Sequence, residues 1–139
     1  MFKLSRSTGL YALLFCVGFL FTSRAHAFDL NGAWSTSEDQ CNKVFVKKVD
    51  KISFAQYSEE FGGGFVADGN DIRSKSARCT ILSRKETRDT IDFHAACASE
   101  IMATSANLRL KILDANRVTR VFTDPSFAGM KLIFYRCPM

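Results

Sequence analysis

Histidine and proline are scarce, with two of each in 139 residues. His26 lies in a segment read below as a cleaved leader, which leaves His94 as the one mature imidazole. That is thin material for a histidine-based metal centre or an acid–base relay. Pro125 and Pro138 both sit near the C-terminus. No Pro-rich linker, low-complexity stretch or internal repeat divides the chain, so one domain is expected. There is no Cys-x-x-Cys, which argues against thiol–disulfide exchange. No Gly-x-Ser-x-Gly elbow appears. Gly62-Gly63-Gly64 lacks the Lys-Ser/Thr that a phosphate-cradling loop requires. Like charges never run to five or more. Lys47, Lys48 and Lys51 form one short cluster, and Arg84, Lys85 and Arg88 another. A concentrated basic face is therefore missing, and no nucleic-acid partner is expected.

Long apolar runs are also missing, with one informative exception. Leu10 to Phe21 (LYALLFCVGFLF) is uncharged, follows Lys3 and Arg6, and precedes Ala25-His26-Ala27. A basic start, a short apolar stretch and a small-x-small site are the layout of a secretory signal peptide. The run is too short for a comfortable permanent anchor, so no stable membrane attachment is expected after cleavage. Residues 1–27 read as leader and 28–139 as a single exported domain, periplasmic or secreted. Losing Lys3, Arg6 and Arg24 turns nineteen basic residues into sixteen against fourteen acidic, a mature balance of +2. Much of the basic character thus belongs to export.

Cys16 leaves with the leader, and Cys41, Cys79, Cys97 and Cys137 remain. Four cysteines in a small exported chain read as two disulfides, with three connectivities open. Their wide spacing does not resemble the close pairs of a structural zinc site, so no metal is expected.

Most of the mature chain alternates with period two and is rich in Val, Ile, Phe and Thr, the strand signature. Candidate strands cover Gly32 to Ser37, Lys43 to Val49, Lys51 to Tyr57, Gly64 to Asp68 and Asp71 to Lys75. Further candidates cover Arg78 to Lys85, Ile91 to Ser99, Leu108 to Ile112, Arg117 to Thr123 and Lys131 to Cys137. Asp68-Gly69-Asn70 marks a hairpin, because its residues tolerate positive φ. Alanine-rich Ala98 to Ala106 reads as a helical turn or loop. A hairpin centred on Arg88 sets Lys85 against Ile91, Ser83 against Phe93, Ile81 against Ala95 and Cys79 against Cys97. Opposed antiparallel residues lie about 4.5–5.5 Å apart at Cα, a separation a disulfide tolerates. Cys79–Cys97 is therefore the preferred bridge, leaving Cys41–Cys137 to fasten the C-terminal strand to the start of the domain. The fold class expected is all-β. Eight or nine antiparallel strands would close into a barrel, since closure removes exposed edges.

Asn31-Gly32-Ala33-Trp34 opens the first candidate strand and holds the single tryptophan. A Gly-x-Trp near the mature N-terminus, followed by many short strands, resembles the lipocalin-like (calycin) barrels. That resemblance implies a first strand carrying the motif and a basic residue near the chain end packed over the indole; Arg136 is the candidate. The order Gly32, Trp34, Cys41 is also similar to the periplasmic metalloprotease inhibitors of bacteria, which share that barrel. Those inhibitors enter the protease with an extended N-terminal arm, whereas only Phe28 to Asn31 precede Gly32 here.

Three functional expectations follow. The leading one is a non-enzymatic barrel that binds a small apolar molecule or an extracytoplasmic protein. Nine phenylalanines survive cleavage and supply apolar surface. The candidate contacts are Phe61 and Phe65 beside the triple glycine, and Phe127 and Met130 in the last loop. The second is a protease inhibitor. The third is an enzyme using Asp92 and His94, which share one strand face. Adjacent Glu59 and Glu60 would point to opposite faces of a strand and make no acid–base couple. No cofactor is expected, and Gly32, Trp34, Arg136 and the four cysteines are assigned structural roles.

Overall fold

The computed structural model describes residues 26–139. The leader expected over residues 1–27 therefore lies, apart from His26 and Ala27, outside the described residues. Eight strands form a closed antiparallel barrel in the spatial order β1, β10, β9, β8, β7, β6, β5, β4. Their ranges are β1 Gly32–Ser35, β4 Gly64–Asp68, β5 Asp71–Arg73, β6 Ala77–Thr87, β7 Thr90–Ser99, β8 Ala103–Asp114, β9 Arg117–Val121 and β10 Leu132–Arg136. A separate two-stranded hairpin, β2 Phe45–Lys48 and β3 Lys51–Phe54, packs outside the barrel after a helical turn, α1 Cys41–Val44. The all-β class and both disulfides, Cys41–Cys137 and Cys79–Cys97, agree with the sequence reading.

Alternation sorts the side chains as the pleat demands. Leu30, Trp34, Phe65, Ala67, Ile91, Phe93, Leu110 and Val118 form the buried interior of the barrel. A second cluster joins Ala33 and Val66 to Val44, Phe45 and Cys137. It seats α1 and the β2–β3 hairpin on the outer face of β1 and β4. Gly64 is required where β4 crosses β1. A Cβ there would fall 2.4 Å from the Trp34 carbonyl oxygen and 2.8 Å from the Phe45 ring.

Three local expectations are corrected. Lys43 to Val49 is not one strand: Lys43 and Val44 finish a helical turn, and Val49 takes φ 54° in the hairpin turn. Ala98 to Ala106 is mostly strand, with only Glu100, Ile101 and Met102 forming the loop that was expected. Its two ends belong to β7 and β8, which pair Ala98 with Ala103 and Ala95 with Ala106. Alanine's helix preference is a few tenths of a kcal/mol per residue, and strand pairing overrides it, on both sides for Ala98 and with β7 alone for Ala103 and Ala106. The β6–β7 register holds as expected from Cys79↔Cys97 to Ile81↔Ala95, then slips by one at a bulge between Ile81 and Ser83. Below the bulge Ser83 faces His94 and Lys85 faces Asp92, and pairing runs on to Thr87↔Thr90. Leu82, the extra residue, is 60% exposed. A bulge inverts the alternation beyond it, so Arg84 and Glu86, opposite buried Phe93 and Ile91, are turned toward the inside at that end.

The two ends of the barrel differ. At one end the N-terminal segment and Trp34 form a plug. Trp34 is fully buried and donates its indole N–H to the Leu30 carbonyl at 2.8 Å. Arg136 stacks 4.3 Å from the centroid of that indole. Its guanidinium also donates to the carbonyls of Asn31, Asp29 and Ala115. Gly32, at φ 112°, supplies a bend that L side chains rarely adopt. Phe28 tilts against Trp34 at 6.1 Å, and its backbone N–H donates to both Glu86 carboxylate oxygens. At the other end the ribbon β6–β7–β8 rises above its neighbours. The last β8–β9 pair is Arg109↔Val121, so Ala103 to Leu108 pair only with β7.

Candidate ligand cavity

Side-chain size decides which half of the interior is filled. Near the plug the inward positions are bulky: Trp34, Ile91 and Val118, all fully buried. Toward the far end they shrink to Ser74, Ala77 and Ala106, with the Cys79–Cys97 bridge across the wall; Gly64, whose Cβ direction is outward, lines the space with backbone alone. The space left is a cavity of about 260 Å³ with a mouth at that end. Its apolar surface comes from Ile72, Phe65, Phe93, Leu108, Leu110 and Phe134. The floor is rigid, because Phe65 stacks on Trp34 at 6.0 Å and meets Phe134 edge-on at 5.0 Å.

One charged side chain lines this cavity: Arg120, on β9. It pairs with Leu110 on one side and Leu132 on the other, and sits two residues beyond buried Val118, so its side chain starts from the inner face. The guanidinium lies 4.9 Å from the centroid of the Phe122 ring. Phe122 in turn packs against Phe127 at 5.6 Å. Asp124 caps the short turn Pro125–Phe127 by accepting from the Ser126 N–H at 2.8 Å. That bond holds the Asp124 carboxyl below its ordinary range.

The four contacts proposed from sequence are not brought together. Phe65 forms part of the cavity floor. Phe61 lies against the outer cluster with Lys43 over its ring at 5.0 Å. Phe127 and Met130 are exposed and line a groove beside β9 and β10 that Arg120 and Phe122 also line. Sequence reasoning missed Ala77, Ala106 and Arg120. The signal was present as small residues on the same alternate positions as Cys79 and Cys97, but reading 98–106 as helix or loop removed it from view.

Asp92 and His94 are both on the outer face of β7, away from the cavity. Asp92 pairs with Arg109 at 2.5 Å and pushes that guanidinium further up. His94 Nδ1 is 2.9 Å from Asn107 Oδ1. Each engages its own cross-strand neighbour, and the two form no relay with each other. Among the described residues, no group of three His, Cys, Asp or Glu side chains is placed to hold a metal ion, and no helix is long and apolar enough to cross a membrane. Comparison with known protein families, curated proteins and solved structures finds no match for this chain.

Proposed function

We propose that this protein is an extracytoplasmic carrier that holds a small apolar molecule inside its barrel. The observation that carries the reading is an apolar cavity of about 260 Å³ in the barrel interior, on the side away from the Trp34 plug. A dry apolar cavity of about 150 Å³ takes a benzene, and pockets for drug-sized ligands start near 300 Å³. The occupant is therefore a single ring system or a short chain rather than a long lipid. Enclosure by six apolar side chains favours such a molecule through the area it removes from water. Export is supported by the leader-like N-terminus and by two oxidised cysteine pairs, which fit an oxidising compartment. Gly32, Trp34 and the stacked Arg136 are compatible with a lipocalin-like barrel. The inhibitor alternative calls for a free N-terminal arm, and here Phe28 is folded back onto Trp34 and Glu86. Asp92 and His94 stand outside the cavity, which favours binding over catalysis.

The test is native mass spectrometry of the exported protein combined with displacement of an apolar dye. Bound apolar mass, or displacement by small apolar compounds, supports the carrier. A protein that emerges empty and takes up neither dye nor compounds rules it out.

A further inference from the structure

We infer that the cavity selects amphiphiles with an anionic head, a short-chain carboxylate being the simplest, and that Arg120 is the residue that receives the head. This rests on the carrier reading and adds the ligand's polarity and orientation.

The inner wall is apolar from the Trp34 plug to the rim, apart from the Ser74 hydroxyl and the guanidinium of Arg120. Among the described residues, that guanidinium has no carboxylate within ion-pair distance and donates no hydrogen bond. Arg84, Arg109 and Arg117 each pair with an acid, and Arg73 and Arg136 are spent on backbone carbonyls; Arg78 and Arg88 are as free as Arg120, but neither lines this cavity. Arg120 is exposed, so its charge is hydrated in the empty protein and costs little to keep there. Phe122 lies beneath it as a flat apolar plate and restricts where it can swing. A planar fork held at the lip of an apolar well matches a carboxylate presented from inside that well. The tail would lie against Phe65, Phe93 and Phe134, and the head would stay at the solvent edge beside Arg120. No acidic side chain lines the cavity to compensate a cationic head.

The magnitude expected is modest, because the pair forms at a solvated rim. An exposed ion pair with some bidentate character changes affinity about fivefold. Titration calorimetry of the oxidised protein at low salt, with octanoate, octanol and octylamine as probes, reads this directly. Octanoate should bind about fivefold more tightly than octanol, with octylamine weakest, and the preference should shrink as salt is raised. In Arg120→Gln the octanoate-to-octanol ratio should fall to about one, and Arg120→Lys should keep part of it. Near-ultraviolet circular dichroism checks that the variants remain folded, and the salt series on the unaltered protein stands without them. Equal binding of all three probes overturns the anionic selection and leaves the carrier intact. A preference for octanoate that survives Arg120→Gln overturns Arg120 as the residue that receives the head. Failure of every probe to bind removes the carrier reading, and this inference with it.

Discussion

Removing one disulfide at a time, as Cys41→Ala/Cys137→Ala or Cys79→Ala/Cys97→Ala, separates the two cross-links by the length of chain each one closes. The sequence separations are 96 and 18 residues. Loop-closure entropy makes the first worth about 4.7 kcal/mol and the second about 3.2 kcal/mol at 25 °C. The difference, about 1.5 kcal/mol, arises in the unfolded chain. A cross-link between α1 and the end of β10 denies that chain most of its freedom, whereas β6 and β7 are already neighbours in sequence. Domains of this size are stable by about 5–15 kcal/mol, so either loss is visible and the longer one takes a large share. Urea unfolding followed by the fluorescence of Trp34 reads both variants against the parent. With a slope of about 1–3 kcal/mol per molar urea, the midpoint of the Cys41/Cys137 variant should lie roughly 0.5–1.5 M below that of the Cys79/Cys97 variant. Equal midpoints, or the reverse order, would refute loop closure as the origin of the stabilisation.

Four further outcomes are expected. Arg136→Met removes the stacking on Trp34 and the contacts to three carbonyls; it should cost about 2–3 kcal/mol and make Trp34 more accessible to acrylamide quenching, and unchanged quenching would count against the plug. Gly64→Ala forces a Cβ against the Trp34 backbone oxygen, so the thermal midpoint should fall by the equivalent of about 1–3 kcal/mol, and a neutral result would mean that β1 and β4 can separate freely. The Asp114 carboxyl is held below its ordinary range by the Asn116 N–H and then by Arg117. A depressed carboxyl stabilises the fold above its unfolded value, near pH 4, and this contribution disappears as pH falls through the lower folded value; Asp114→Asn should therefore be less stable than the parent at pH 7, with the gap closing in acid melts, and a pH-independent gap would contradict the linkage. In protein beginning at Phe28, the nitrogen held by Glu86 is an ammonium; Glu86→Gln should then cost about 1 kcal/mol, and less in a form with additional N-terminal residues, whereas equal losses would show that the charge contributes nothing.

Much of the secondary structure could be read from alternation alone. β4 was bounded residue for residue, and the turn at Gly69-Asn70 falls where positive φ was needed. Cys79 pairs with Cys97 as counted from a hairpin centred on Arg88, but the turn is centred between Arg88 and Asp89 and the bulge at Leu82 makes up the difference. Period two is a local property of a half-buried strand, so a linear string carries it. The bulge at Leu82 is not local in that sense. It exists because β6 must meet the disulfide at one end and deliver Arg84 and Glu86 to the plug at the other, and no residue type announces it. The same holds for Ala103 to Ala106, where the two alanines favour helix and the strand form depends on pairing with β7.

Composition and order thus determined the oxidised, predominantly sheet character of this protein, its plugging tryptophan and the identity of its cross-links. Tertiary structure alone decided that the interior leaves a cavity. A cavity is a difference between the volume that eight strands enclose and the volume of the side chains pointing inward. It depends on which small residues from distant strands reach the same level of the barrel. Ser74, Ala77 and Ala106 line one cavity, and Arg120 joins them, only once the registers are set.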